Sequence, residues 1–306
     1  MEKKLTYKRN TLKKIKQQKE LLLILVIPLA LYIFFSYVPY WQIKWAFTNF
    51  GKVPLSKVGY IGFANFERLL RTSRFWNAFI NTVVISIYNL IIGFPIPIIF
   101  ALLLNEMYVK RFKKTVQTII YFPHFLSWVV IGSIWFLLLA PTRSVNEQIS
   151  SFFGVDPVYW FARSDYIRML LVYTNIWQGA GYSAIVYLAA LSAVDPTLYE
   201  AAVVDGAGKF RQLWHVTLPG IRSTIVILFI LRMGKIFNIF TQVIVMANEV
   251  VMDKADVIMT YAYRTGIQNM DVGYSMATSL FKAVITFTLV MLTNALSKKL
   301  GEEGVY

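Results

Sequence analysis

Six long apolar runs, none with an aspartate or glutamate in its interior, restrict this chain more than any other feature. They cover roughly Leu21–Tyr40, Asn77–Leu104, Val116–Ala140, Ile167–Val194, Ile221–Met246 and Val272–Ser297. Each reaches the roughly 20 residues that a helix needs to cross the hydrocarbon core of a bilayer. The runs are continuous rather than alternating, so barrel strands are excluded and helix is the remaining way to satisfy the backbone in lipid. The expected fold class is therefore all-α integral membrane, with six transmembrane helices.

Composition supports this. The 306 residues are 57% hydrophobic and only 15% charged, against about 25% charged in ordinary soluble domains. A soluble fold could not cover its surface with so few charges, and a disordered chain would not carry so many apolar side chains. The absence of cysteine removes disulfides, thiolate metal sites and cysteine nucleophiles. Only His124 and His215 are present, which excludes a histidine-rich metal centre. No His/Asp/Glu grouping has acid–base or metal spacing, so neither a catalytic nor a metal-ligating residue is assigned. The net charge of +15 would suggest nucleic acid in a soluble protein. In an apolar chain it reports loops beside anionic lipid, and no nucleic-acid partner is expected.

Lysine and arginine set the orientation. They crowd residues 1–20 (Lys3, Lys4, Lys8, Arg9, Lys13, Lys14, Lys16, Lys19), the loop at Lys110, Arg111, Lys113 and Lys114, the segment with Lys209, Arg211 and Arg222, and the tail at Lys298 and Lys299. The opposite loops hold fewer: Lys44, Lys52, Lys57, Arg68, Arg71 and Arg74, then Arg143, Arg163, Lys254 and Arg264. Both termini are expected in the cytoplasm, with residues 1–20 a basic tail and 21–306 the transmembrane domain. The first run reads as a retained anchor, because it is long and no small-x-small cleavage site follows it. Tyr37, Tyr40, Trp41 and Trp45 at its end, and Tyr159, Trp160 and Phe161 before the fourth run, read as interfacial anchors.

Residues 195–220 form the long cytoplasmic connection. Asp195 and Pro196 suit a helix start, and Gly206 suits its close. Phe210, Leu213 and Trp214 recur at the spacing of a second amphipathic helix, which Leu218-Pro219-Gly220 is expected to break. A short protruding helix with small Ala201 and Ala202 and a charged Glu200 can dock in a groove of a soluble partner, or simply lie at the membrane surface.

The order Glu200-Ala201-Ala202, three residues, Gly206, nine residues, Val216, one residue, Leu218-Pro219 resembles the permease signature of binding-protein-dependent ATP-binding-cassette importers. Val216 stands where that family usually has isoleucine. Asp205-Gly206-Ala207 and the six-run layout are similar to the carbohydrate, maltose-type branch, and Tyr37–Pro39 with the single basic tail looks most like its permeases for oligosaccharides and polysaccharide fragments. The resemblance implies a type I importer permease fold in a bacterial cytoplasmic membrane. It also implies a coupling loop carrying Glu200, Ala201, Ala202, Asp205, Gly206, Leu218 and Pro219, and alternating access. The implied partners are a second, different permease subunit, two ATPase subunits that hold ATP and magnesium, an extracytoplasmic solute-binding protein and an oligosaccharide. The chain itself carries no phosphate loop. Around Gly208-Lys209 the required earlier glycine is Val203 and the required Ser/Thr is Phe210. No cofactor of its own is therefore expected.

Three cations lie deep in the last two runs. Arg232 lies roughly 17 Å into the fifth run, at 1.5 Å per helical residue. Lys235 follows one turn later, on the same face if the helix continues, and Lys282 sits near the same depth. Each costs about 2.5–3.5 kcal/mol to insert, so a purpose is expected. Pairing with acids of a second subunit, a structural or water-facing role, and recognition of an anionic substrate such as a uronate remain open. Asn81, Asn89, Asn175, Gln178 and Asn238 read first as helix–helix hydrogen-bonders. Trp177, Gln178 and Asn238 are also candidates to line a sugar path. Gly93, Pro95 and Pro97 should kink the second run. The alternative function, an ion-coupled secondary transporter, would need intramembrane carboxylates or histidine relays that these runs lack.

Overall fold

The computed structural model describes residues 18–301, so nearly all of the expected basic tail lies outside the described residues. Among those residues every regular element is a helix. The first run folds as α1, Lys19–Tyr37. Pro39 then fits the first turn of a tighter helix, Val38–Phe47, where its missing N–H is no loss. Every side chain described in α1 is exposed, as suits a helix apolar all round. Helix α2, Ala64–Arg71, lies across the turn that follows: Asn65 Nδ2 donates to the carbonyls of Ala46 and Thr48, both at 2.9 Å.

Helices α3, Ser73–Ile91, and α4, Pro95–Asn105, are the second run with the expected kink. Pro95 and Pro97 have no N–H to give the carbonyls of Ile91 and Gly93, so the ladder stops there. The third run is not one continuous helix. It is α5, Lys110–Tyr121, and α6, Trp128–Leu139, bent by 107°. Buried Pro123 ends the first, and Ser127 starts the second by accepting from the N–H of Val130 at 3.3 Å. A short α7, Val145–Phe152, is capped by Ser144 Oγ on the N–H of Glu147 at 3.2 Å. Its Asn146 donates to the Val158 carbonyl and accepts from Trp160 Nε1. This straps the Tyr159–Phe161 segment to protein.

Helix α8, Ser164–Ser192, is the centre of the packing. It touches α3, α4 and α5 and three later helices: α11, Arg222–Met233; α12, Thr241–Met246; and α13, Met252–Ala255. Ile85, Leu170, Leu171, Val172, Val243, Met246 and Val257 form the main buried cluster at these contacts. Between α8 and α11 lie α9, Pro196–Val204, and α10, Lys209–Gly220. Helix α14, Ile258–Tyr263, and the long α15, Val272–Lys299, complete the chain.

Three described helical stretches are long and apolar enough to cross a membrane: Leu22–Phe47, Ser73–Asn105 and Val272–Lys299. The number rises to five if α5 with α6, and α10 with α11, each count as one. The expected count of six would require α8, which has the length, about 44 Å, but not the apolarity. The physical reason is its position: a helix that packs on protein along most of its faces needs less lipid-compatible surface than one facing hydrocarbon. The fifth run also fails as one helix, since residues 234–240 separate α11 from α12.

Backbone comes close to α8 at Gly181, where an added Cβ would fall 1.9 Å from the Ile120 carbonyl oxygen. Gly179, on the same helix, has open space at that position. Gly181→Val is expected to cost about 1–3 kcal/mol through overpacking, seen as a lower midpoint of thermal unfolding in detergent. Gly179→Val should leave that midpoint nearly unchanged. Equal midpoints for the two variants would refute the close packing of α5 on α8.

Candidate functional site

Two helix interruptions face each other across the core. One is the Gly93–Pro97 break between α3 and α4, and the other is the non-helical stretch 234–240 between α11 and α12. Ser86 Oγ on α3 donates to the Ile236 carbonyl at 2.7 Å, and the Asn238 N–H donates to the Lys235 carbonyl at 2.9 Å. Irregular backbone at such depth is tolerated where it is buried in protein or lines a cavity. A cavity of about 220 Å³ lies there, lined among others by Asn89, Asn175, Gln178, Arg232, Lys235 and Asn238. Asn89 is 8% exposed, and its Oδ1 has no hydrogen-bond partner.

The three deep cations differ in what they touch. Arg232 Nη2 donates to the Asn89 carbonyl at 2.7 Å, and Nη1 lies 3.4 Å from the Gly93 carbonyl. The second of these acceptors is one that Pro97 cannot serve. Lys282 Nζ on α15 donates to Asn238 Oδ1 at 2.8 Å and lies 3.1 Å from Met259 Sδ. Lys235 lies beyond the end of α11 in a turn, so the helical i, i+3 face shared with Arg232 does not exist. Its ammonium group has no partner among the described residues. No carboxylate among the described residues pairs with any of the three. The ion pairs given for the described residues lie elsewhere: Lys52 and Arg68 on Asp271, Arg264 on Asp256, and Lys209 on Glu106.

Of the other candidates, Gln178 and Asn238 reach the cavity, and Trp177 does not. Trp177 meets Trp135 edge-on at 5.8 Å, because adjacent residues on a helix point about 100° apart. Ser86, Ser183 and Gly179 join the lining without having been singled out by sequence. The signal that could have found them is the pairing of two Gly- or Pro-interrupted apolar runs, which marks binding sites in transporters. That signal was visible at Gly93 but weak at Gly234.

At one end of the molecule the 195–220 segment is a self-braced hairpin. Asp195 caps α9 by accepting from the Thr197 N–H at 2.9 Å. That bond holds the carboxyl below its ordinary range, so the cap persists at neutral pH and is lost as pH falls through the lowered value. Gly206 has φ +72°, with the Ala207 N–H on the Ala202 carbonyl and the Gly206 N–H on the Val203 carbonyl. Space around Gly206 is open, so glycine is needed there for conformation and not for clearance. Tyr199 Oη donates to Thr217 Oγ1 at 3.1 Å, which ties α9 to α10. Helix α10 is not broken at Leu218-Pro219-Gly220 as the sequence suggested. A wider turn over Leu213–Thr217 accommodates Pro219, and the 60° bend falls one residue later, at Ile221. Glu200, Ala201 and Asp205 are exposed, as are Val203, Val204, Phe210 and Trp214, while Ala202 and Leu218 are half-buried. Lys209 Nζ lies 3.1 Å from Glu106 at the end of α4, a tether the sequence did not reveal. Glu106 raises the Lys209 ammonium above its ordinary value, so the tether holds at neutral pH and is lost as pH rises through that value.

Residues 93–302 match the family described as binding-protein-dependent transport system inner membrane component. The polygalacturonan/rhamnogalacturonan transport system permease protein YteP of Bacillus subtilis (strain 168) is 42% identical over 302 residues, covering 98% of this chain and 94% of that protein. The arabinooligosaccharides transport system permease protein AraP of Halalkalibacterium halodurans is 30% identical, covering 92% and 90%. A chain in the crystal structure of a bacterial alginate ABC transporter, in complex with an alginate pentasaccharide-bound periplasmic protein, superimposes with a TM-score of 0.87. It is 35% identical and is covered over 99% of its length by 96% of this chain.

Arg232→Leu is expected to cost about 1–3 kcal/mol, chiefly because the Asn89 carbonyl loses its partner. Thermal unfolding of the purified protein in detergent would read this as a lower midpoint, partly recovered by Arg232→Lys. A midpoint unmoved by leucine would show that the guanidinium does not hold the broken helix.

Proposed function

The chain belongs to the family of binding-protein-dependent transport system inner membrane components, and from that membership we propose that it is the permease subunit of an ATP-driven importer of oligosaccharides bearing carboxylates. The observation that carries the substrate class is the cavity between the two helix breaks, lined by amides and cations and free of carboxylate. Amides suit sugar hydroxyls, and a cation suits a uronate. The names of the relatives support the same reading, since galacturonan and alginate are polymers of sugar acids.

In this reading the α9–α10 hairpin faces the cytoplasm, as do both termini, and α8 serves as a sixth, protein-covered span. The exposed apolar side chains around Gly206 and the charge of Glu200 suit docking into a groove on an ATPase subunit. That subunit, present twice, supplies ATP with magnesium. A second permease of different sequence completes the path, because a 220 Å³ cavity is smaller than the ~300–1,000 Å³ of sites that bury drug-sized ligands. A solute-binding protein delivers the sugar at the opposite face. Closure of the ATPases moves the hairpin, the Lys209–Glu106 tether passes part of that motion to α4, and the cavity alternates between the two sides. The substrate undergoes no covalent change, and the rate is set by conformational populations.

The test is uptake by the complete transporter in sealed vesicles. Uptake is expected to require internal ATP and to survive dissipation of the proton gradient. The reverse pattern would establish ion-coupled secondary transport instead. Gly206→Val, which forces a β-branched residue into φ above zero at about 1–2 kcal/mol or more, and Glu200→Lys should together lower uptake at least tenfold in protein that is still inserted and assembled. Undiminished uptake would remove the hairpin from the mechanism.

A further inference from the structure

We infer that Lys235, rather than Arg232 or Lys282, reads the substrate carboxylate, with Asn89 Oδ1 accepting from a hydroxyl of the same sugar ring. The assignment rests on the importer reading above and on an account of what each cation already holds. Arg232 is committed to the backbone carbonyls of Asn89 and Gly93. Removing it from them to bind a substrate would leave polar groups unpaired in an apolar interior, a loss repeated in each cycle. Lys282 is committed to Asn238 Oδ1. Lys235 lines the cavity, is exposed to it, and has no partner among the described residues. It sits in a non-helical turn, so its four-carbon stem can follow a moving ligand without disturbing a helix.

Asn89 supplies the second, independent observation. Its carboxamide is buried and its Oδ1 is unpartnered, although a buried amide oxygen normally accepts at least one hydrogen bond. An acceptor of this kind cannot serve a carboxylate, which has no proton to give. It suits a hydroxyl. A free ammonium on the cavity and a free acceptor buried in its wall together describe a single ring with both groups, a hexuronate unit of the chain rather than the whole oligomer. Gln178 and Asn175 on the α8 wall add donors and acceptors for its other hydroxyls.

The experiment uses the complete transporter in vesicles with its unmodified solute-binding protein, and two probes: trigalacturonate and the same trisaccharide fully methyl-esterified. Esterification removes the charge and keeps every ring hydroxyl. Ratios between variants are independent of the binding protein's own preference, because that protein is the same throughout. Lys235→Gln is expected to lower uptake of the acid about tenfold, the scale of one lost charge-assisted hydrogen bond, with uptake of the ester within twofold of wild type. Lys235→Arg should restore the acid to within about threefold. Asn89→Leu, which keeps the backbone carbonyl that Arg232 uses, should lower both probes together. Arg232→Gln should also lower both together and reduce the thermal midpoint, as a structural clamp would. If Lys235→Gln changes both probes equally, or neither, the assignment is overturned while the importer reading stands. If wild-type transporter carries neither probe with ATP present, the importer reading falls and takes the assignment with it.

Discussion

A backbone carbonyl buried in an apolar environment must find a donor, and that requirement organises the centre of this protein. Pro95 and Pro97 withdraw two N–H groups from the α3–α4 ladder, and the 234–240 stretch leaves its own ladder incomplete. The two defects satisfy each other. Arg232, carried at the end of α11, donates into the first break, and Ser86, carried on α3, donates into the second. Together they hold the helices apart by the width of a small polar cavity, which is a way to place amides and a cation at depth without opening the bundle. The insertion cost of Arg232 is offset by the carbonyls it serves, and the absence of a carboxylate partner needs no second subunit to explain it.

The sequence made the class of fold legible, because six apolar runs admit few alternatives. The kink at Gly93–Pro97 and the helix–glycine–helix form of 195–220 were legible for the same reason: proline and glycine act locally. What stayed hidden depends on tertiary context. The third run reads as one span by hydropathy, and it turns through 107° where buried Pro123 and the Ser127 cap lie. The fifth reads as one span because its break carries Gly234 but no proline. That error placed Arg232 and Lys235 on a common helical face and grouped three cations of which two hold separate partners and Lys235 none among the described residues. Trp177 was misplaced by a different route, since its neighbour Gln178 faces the cavity and a helix cannot aim adjacent residues at one target.

The basic first loop is tied to the start of α15 by ion pairs. Lys52 and Arg68 converge on Asp271, and Arg68 further stacks over the Tyr274 ring at 4.2 Å. Arg264 is matched to Asp256 in the same way. Two cations share the single Asp271 carboxylate, so this cluster keeps a net positive charge.

Helix α8 carries a consequence for how the protein is made. It packs on helices from both halves of the chain, and it is not apolar enough to stand among the candidate spans. During synthesis α3, α4 and α5 emerge before it and supply the walls it later occupies, while α11 to α13 follow. As the proposed sixth span, α8 would depend for its partitioning on a groove assembled by earlier segments, so a lesion in α3 or α4 would be felt first as a failure of biogenesis.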